Sequence, residues 1–121
     1  LDGKFNCKVV SVYDGDTCTI VLHNKGAFEK HKLRMFGYDS PEIRPKKDIA
    51  NRDEVIRKAH LAKNALNNLV MDKICMFESM GYDKYGRLLG VLFIDNATVN
   101  VNEKMLADGY GYAYIGGTKQ V

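Results

Sequence analysis

The opening third of the chain consists of short strand-like segments separated by turn signals, and this pattern limits the folds available to it. Residues rich in β-branched and aromatic side chains, which favour strands, occupy 7–13, 17–22 and 32–38. Asp14-Gly15 separates the first two segments and is a strong hairpin signal, and a polar turn follows the second segment. A three-stranded antiparallel meander is therefore predicted, which argues against the strand–helix alternation of a parallel sheet.

The rest of the chain predicts two helices and further short strands. Apolar residues recur at three- and four-residue steps from Val55 to Val70, which indicates an amphipathic helix with Asp53 as its N-cap. Strands are predicted at 74–79, 88–94 and 98–101, and a second helix at 103–108. Asn102 is expected to cap the second helix and Gly109 to end it.

Length and composition fit one globular domain. The chain has 121 residues, of which 45% are hydrophobic and 27% charged, so wholesale disorder is excluded. No apolar run is long enough to span a membrane. Cys7, Cys18 and Cys75 have no C-x-x-C spacing, so we expect three buried free thiols and no zinc site. The predicted fold class is α+β: one five-stranded barrel of the oligonucleotide-binding type with two helices, over residues 1–121.

Three polar clusters carry the residues suited to chemistry. They are Asp14-Gly15-Asp16-Thr17, then Arg34 with Asp39-Ser40-Pro41-Glu42, then Asp83-Lys84-Tyr85-Gly86-Arg87. Each cluster alone is explained by an ordinary turn. Together they supply carboxylates, which are hard oxygen ligands for Ca²⁺ or Mg²⁺, and guanidinium groups that can each grip a phosphate. Such a set suits phosphodiester hydrolysis, because the cation and the guanidiniums neutralise charge in the transition state.

In order and spacing these clusters resemble the motifs of the staphylococcal nuclease, or thermonuclease, family, and Val101-Asn102-Glu103 matches that family as well. The resemblance runs from the first strand to about Tyr114. It implies a five-stranded barrel with helices and Ca²⁺-dependent hydrolysis of DNA and RNA. The family cuts the 5′ P–O bond and leaves 3′-phosphate ends. One ion is implied, with Mg²⁺ as the second choice.

The resemblance implies a metal site and a base. Asp16 and Asp39 match direct Ca²⁺ ligands, and Ser40 matches a residue that contributes its backbone carbonyl. Asp14 matches an acidic position that orders metal-bound water. Glu42 matches the residue that positions or deprotonates the attacking water.

Contacts to the substrate follow from the same resemblance. Arg34 is expected to bridge the scissile phosphate, and Arg87 to stabilise its developing charge. Lys84 and Tyr85 match residues that hold a terminal phosphate of a nucleotide. Tyr114 lies near the family's tyrosine that packs beneath the base, with packing in the core as the alternative interpretation.

Basic residues concentrate in residues 44–58, within a chain of net charge +3. Lys46 and Lys47 in this run are expected to contact the substrate, and a solvated basic surface is the alternative. Typical family members carry a third helix beyond the position of Gly116-Gly117, and this chain is expected to lack it.

Two other functions remain open: a nucleic-acid-binding domain of the same family that does not hydrolyse its ligand, and a purely structural calcium module. The paired acidic residues favour the enzyme, because two carboxylates held close together repel each other without a cation. A structural module leaves Arg34 and Arg87 unexplained. The expected partners are DNA and RNA, preferably single-stranded, with no membrane contact. A monomer is the default expectation, and no compartment is predicted.

Overall fold

The structure, a computed structural model, describes residues 1–113, so the predicted base contact of Tyr114 lies outside the described residues. In chain order the elements are β1 Lys4–Asp14, β2 Thr17–Asn24, β3 Ala27–Met35, β4 Tyr38–Asp39, α1 Arg52–Val70, β5 Ile74–Tyr82, β6 Leu88–Ile94, β7 Val99–Asn100, α2 Val101–Ala107 and β8 Tyr112–Ala113. Neither helix combines the length and the apolar character that crossing a bilayer requires, among the residues described.

Five of the strands close into a barrel. The main sheet has the order β3-β2-β1-β5-β6-β7, and β3 also pairs with β6 in parallel, where Leu33 lies opposite Leu88. The ladders between β1, β2 and β3 are antiparallel, as the predicted meander requires. Closure pairs the outer strands with each other and so removes their free edges. The predicted α+β class, with a five-stranded barrel and two helices, is confirmed.

Helix α1 packs against the turn between β1 and β2. Its buried face consists of Val55, Ala59, Ala62, Leu66 and Val70, which are spaced at three- and four-residue steps. Ala62 approaches the turn so closely that a Cβ atom built on Gly15 would lie 2.6 Å from the Cβ of Ala62. A larger residue at this position would therefore push the helix away from the turn. Gly15 thus serves the packing of α1 as well as the geometry of the hairpin turn.

All three cysteines are buried free thiols, as predicted. Cys7 on β1 lies directly opposite Cys75 on β5. Burial, reinforced by the neighbouring Cys75, raises the pKa of Cys7 to about 12. Because the thiolate is the reactive form of cysteine, these residues act as small apolar side chains of the core.

The helix caps differ from the predicted ones by two residues. Helix α1 follows Asn51, a left-handed residue with φ 56°, and Asp53 lies in its first turn, where a negative charge favours the helix dipole. Helix α2 is capped by Asn100, whose side chain accepts a hydrogen bond from the Glu103 N–H. Asn102 lies inside this helix, so its predicted capping role is wrong.

The third strand also differs from its predicted bounds. It begins at Ala27 and ends at Met35, whereas the apolar pattern predicts residues 32–38. The chain turns at Phe36-Gly37, and Gly37 has φ 94°, a left-handed value that ends the strand. The turn brings Tyr38 and Asp39 back as the separate strand β4, so Asp39 returns towards Arg34.

Asn102 joins α2 to the barrel wall. Its side chain is 5% exposed, and its Oδ1 accepts a hydrogen bond of 3.1 Å from the Leu92 N–H. Its Nδ2 donates to the carbonyl oxygens of Phe36, at 2.8 Å, and Gly90, at 3.0 Å. One buried amide thus satisfies three backbone groups from β6 and from the turn after β3.

Replacing Asn102 by Ala should lower the free energy of unfolding by about 3 kcal/mol, because buried backbone groups would lose their partners. The matched control is Asn100→Ala, which removes only a helix cap and should lower it by about 1 kcal/mol. Urea unfolding followed by circular dichroism measures both. An Asn102→Ala effect no larger than that of the control would contradict the assigned role.

Candidate active site

A pocket of about 780 Å³ opens on the barrel wall where β3, the β1–β2 turn and the β5–β6 turn meet. Eight of the residues predicted for the site line it: Asp14, Asp16, Arg34, Asp39, Glu42, Lys84, Tyr85 and Arg87. Residues far apart in the sequence therefore converge on one side of the molecule. The sequence-derived roles of the individual residues remain predictions.

Arg34 lies at the centre of this pocket and is held by backbone and side-chain groups. Its Nη1 donates to the carbonyl oxygens of Met35 and Tyr38, both at 2.8 Å. Its Nη2 donates to Asp39 Oδ1 and lies 3.5 Å from Asp16 Oδ2. The Arg34 side chain is 12% exposed, and both carboxylates are buried. A single cationic nitrogen thus lies between two buried carboxylates, which offsets their mutual repulsion.

The Asp16 carboxylate is oriented by its neighbours. Its Oδ2 accepts a hydrogen bond of 2.8 Å from the Ser40 N–H, and its Oδ1 accepts one of 3.0 Å from the Thr17 hydroxyl. The Asp16 N–H in turn donates to Asp14 Oδ1 at 3.0 Å, and the Asp16 carbonyl accepts from the Met35 N–H at 2.8 Å. The β1–β2 turn and the segment after β3 are therefore linked at the site.

Tyr38 and Ser40 form the buried floor beside the carboxylates. The Tyr38 hydroxyl donates to the Gly15 carbonyl at 2.7 Å, and burial raises the pKa of this tyrosine, so it stays protonated. Ser40 is fully buried, and its hydroxyl oxygen has no hydrogen-bond partner among the described residues. An unsatisfied buried oxygen of this kind is uncommon. The Ser40 side chain lies against Gly15, where a Cβ atom would be 3.1 Å from its Oγ, and Ser40 does not line the pocket.

The donor types here fit a hard divalent cation. Asp16 and Asp39 are buried and line the pocket, and their carboxylates offer oxygen atoms. Within residues 1–113, however, there is no group of three or more His, Cys, Asp or Glu side chains that could hold a metal ion. Ca²⁺ takes six to eight oxygen ligands, so an ion at this position would need water, backbone or substrate oxygens as well.

Asp83 organises the turn that presents Arg87. Its Oδ1 accepts from the N–H groups of Tyr85 and Arg87, both at 2.9 Å, and its Oδ2 accepts from Arg87 Nε at 2.6 Å. Burial raises the pKa of Asp83, but these hydrogen bonds outweigh it and leave the pKa below its ordinary value. Asp83 thus stays ionised and fixes the direction of the Arg87 side chain.

Cations and an exposed ring lie together on this turn. Lys84 Nζ lies 5.3 Å from the centroid of the Tyr85 ring, and Arg87 Cζ lies 5.8 Å from it. Tyr85 is 74% exposed. Glu42, which follows β4, is partly exposed at the edge of the same pocket.

Two of the predicted substrate contacts lie elsewhere. Lys46 and Lys47 are exposed in the loop before α1 and do not line the pocket. A smaller neighbouring pocket of about 300 Å³ includes Pro41 and Tyr112 but none of the predicted site residues. If these two lysines bind substrate, as predicted, they do so outside the central pocket.

The pocket also includes residues that the sequence interpretation did not select. Lys32 lies two residues before Arg34 on β3 and hence on the same face of the strand, which the period of two could have indicated. Tyr13 and Phe36 add exposed rings, and their positions depend on a bulge and a turn that the residue pattern does not reveal. Asp83 belongs to a recognised motif, but its anchoring role requires the hydrogen bonds to be seen.

Comparisons with known proteins bear on the family of this chain. A family model described as staphylococcal nuclease homologue matches residues 32–120. An uncharacterized protein of Methanocaldococcus jannaschii is 34% identical over 125 aligned positions, which cover 89% of this chain and 58% of that protein. A protein of Haemophilus influenzae named as an uncharacterized endonuclease is 28% identical over 111 positions, which cover 92% of this chain and 53% of that protein.

This chain therefore spans little more than half the length of those two relatives. The family model, in contrast, covers most of the chain, including Arg34 and the segments that supply Asp39, Glu42 and Arg87. The predicted family is confirmed: the chain belongs to the staphylococcal nuclease homologues.

Proposed function

We propose that this protein is a Ca²⁺-dependent nuclease that hydrolyses phosphodiester bonds of DNA and RNA with little sequence preference. The observation that carries the proposal is the convergence of Arg34, Asp16 and Asp39 with Arg87 and Glu42 in one pocket. The family and the Haemophilus influenzae relative named as an endonuclease support nuclease activity. None of the pocket's features requires a particular base, since phosphate contacts carry no sequence information.

Asp16 and Asp39, with the backbone carbonyl of Ser40, would hold the ion, and Asp14 would bind water beside it. When bound, Ca²⁺ supplies Lewis-acid polarisation of the phosphoryl oxygens. The Ser40 N–H orients Asp16, and Arg34 Nη2 contacts both carboxylates, so an ion shared by them would replace contacts that Arg34 now makes.

Arg34 and Arg87 are proposed to contact the phosphate in different ways. The Arg87 side chain donates its Nε to Asp83 and lines the pocket. Two parallel N–H donors match two phosphate oxygens, and Arg87 is proposed to stabilise the charge that develops there. Arg34 is already hydrogen-bonded to Asp39 and to two carbonyls, so it is proposed to bridge the scissile phosphate to the carboxylates.

Glu42 is proposed to position and deprotonate the attacking water. It borders the same pocket as Arg34 and Arg87 but is more exposed than the two buried aspartates, which suits a group that exchanges a proton with water. The proton passes from the water to the Glu42 carboxylate as the oxygen attacks phosphorus. Cleavage of the 5′ P–O bond then leaves a 3′-phosphate on one fragment, and the departing 5′-oxygen takes a proton from solvent water to become the 5′-hydroxyl of the other fragment. Lys84 and Tyr85 are proposed to bind a terminal phosphate beside Arg87.

One observation favours the alternative of a nucleic-acid-binding module without hydrolysis. In the described part of the chain the acidic side chains do not form a group of three metal ligands, and Arg34 already neutralises Asp16 and Asp39. Such a site binds phosphates without an ion. The two functions differ in whether a calcium chelator changes the fate of a polynucleotide.

The wild-type protein should degrade single-stranded DNA in Ca²⁺ and leave it intact when a chelator is added. Arg87→Ala should lower kcat/KM by about 10²-fold or more, because a charge-stabilising group of the transition state is removed. Arg57→Ala is the matched control: Arg57 is an exposed arginine on α1, paired with Glu54 and outside the pocket, and its removal should leave the rate unchanged. Gel electrophoresis of timed reactions measures these rates.

Two results would change the assignment. Intact DNA after incubation of the wild-type protein at micromolar concentration and alkaline pH, with Ca²⁺ present, favours the binding module. A near-normal rate for Glu42→Gln, whose amide cannot accept the proton as a carboxylate does, excludes Glu42 as the base.

Ca²⁺ should also raise the thermal stability of the wild-type protein, because a ligand of the native state adds to its free energy of unfolding. At a hundred times its Kd the ion adds about 2.7 kcal/mol. Asp39→Asn should abolish this stabilisation, whereas Asp48→Asn, at an exposed loop position, should retain it. Differential scanning calorimetry with Ca²⁺ and with chelator measures the shift. If Ca²⁺ raises the melting temperature equally in the wild type and in Asp39→Asn, Asp39 is not a ligand of the proposed metal site.

Neutralising Lys46 and Lys47 together should weaken the salt dependence of binding to single-stranded DNA. The slope of log affinity against log salt should fall by about 0.7 for each phosphate that the variant no longer neutralises. Lys8 and Lys25, both exposed and outside the pocket, provide the matched double substitution that should leave the slope unchanged. Fluorescence anisotropy titrations in chelator measure the slopes, and equal slopes for the two double variants would assign Lys46 and Lys47 to a solvated surface.

A further inference from the structure

The proposed catalytic groups occupy only part of the pocket. Around the barrel the strands run β1, β2, β3, β6, so Arg34 on β3 lies between β1 on one side and the turn before β6 on the other. Tyr85 borders the pocket from that turn, and Tyr13 borders it from β1. In the strand order the two exposed rings therefore come from opposite sides of β3, the strand that carries Arg34.

Tyr13 occupies a bulge. Val12 lies opposite Cys18 and Asp14 lies opposite Thr17, so Tyr13 is an extra residue on β1 with no partner in that ladder. Bulges redirect a side chain out of the regular alternation and are common next to active sites. Here the redirected side chain is an aromatic ring that is 66% exposed and contributes little to the core. Packing of the fold does not explain the ring.

Lys32 adds positive charge between the two rings. On β3 it precedes Arg34 by two residues, about 6.6 Å along the same face of the strand. The parallel pair Leu33 and Leu88 is preceded by Lys32 and Arg87, and both of these line the pocket. Lys32 is an exposed residue of the pocket lining. Lys32, Arg34 and Arg87 therefore all bring positive charge to the pocket that Tyr85 and Tyr13 border.

We propose that Tyr13 forms a second nucleotide subsite, on the side of Arg34 opposite to Tyr85, where its ring stacks on a base while Lys32 binds the connecting phosphate backbone. The inference rests on the proposed function, because it places polynucleotide in the same pocket. Its chemistry selects single strands, since bases paired in a duplex do not offer their faces to a side chain. The substrate is then a single-stranded segment with nucleotides on both sides of the scissile phosphate.

Binding of fluorescein-labelled octathymidylate in chelator tests the subsite without cleavage. Tyr13→Ala should weaken binding by about five-fold or more, the effect of removing one stacked base. Tyr13→Phe, which keeps the ring, should bind like the wild type. Thymidine 5′-monophosphate, which fills one subsite at most, should compete equally well with the label on Tyr13→Phe and on the wild type. Phe28→Ala is the matched control, because Phe28 is 80% exposed and lies outside the pocket.

If Tyr13→Ala binds octathymidylate as tightly as the wild type, the proposed subsite is wrong. It is also wrong if Phe28→Ala lowers the affinity as much as Tyr13→Ala does. Weakened affinity in both Tyr13→Ala and Tyr13→Phe also overturns it, because stacking requires only the ring. Because these titrations contain no Ca²⁺, they are independent of hydrolysis. A protein that binds octathymidylate through Tyr13 but never cleaves it retains the subsite and loses only the proposed nuclease function.

Discussion

The arrangement around Arg34 is the constraint on which the rest of the site depends. Its guanidinium joins two carbonyls of its own segment to the carboxylates of Asp16 and Asp39, and nearly all of it is buried. An unpaired buried charge is strongly destabilising, so each partner requires the others. The β1–β2 turn, strand β3 and strand β4 are therefore fixed relative to one another by electrostatics as well as by packing, and the two carboxylates are held in a defined orientation.

Much of this arrangement could be predicted from the residues, and the limits have physical reasons. The strand pattern and the Asp14-Gly15 signal predicted the meander because side-chain alternation and turn chemistry are local properties. The cap of α2 could not be placed from composition, since Asn100 and Asn102 are equally good capping residues. Only the tertiary structure distinguishes them, because Asn102 finds three backbone partners in the barrel.

In the site, too, some residues could be predicted from the sequence and others depend on the tertiary structure. Each motif alone is explained by an ordinary turn, but the order and spacing of the three motifs together identified residues that do line one pocket. The contribution of Tyr13 depends on a register shift within β1, and register is set by pairing with another strand. Lys32 could have been included from its spacing to Arg34 alone. The role of Asp83 could be recognised only in the folded turn, where its carboxylate accepts three hydrogen bonds.

The parallel seam between β3 and β6 has a consequence for how the molecule acquires its pocket. Arg34 pairs across this seam with Leu89, and the two strands are distant along the chain. Contacts between distant segments form late in folding, because the loop that joins them must first be closed at an entropic cost. Because Arg34 and Arg87 reach the pocket from the two strands or their ends at this seam, the pocket is complete only when β3 and β6 are paired.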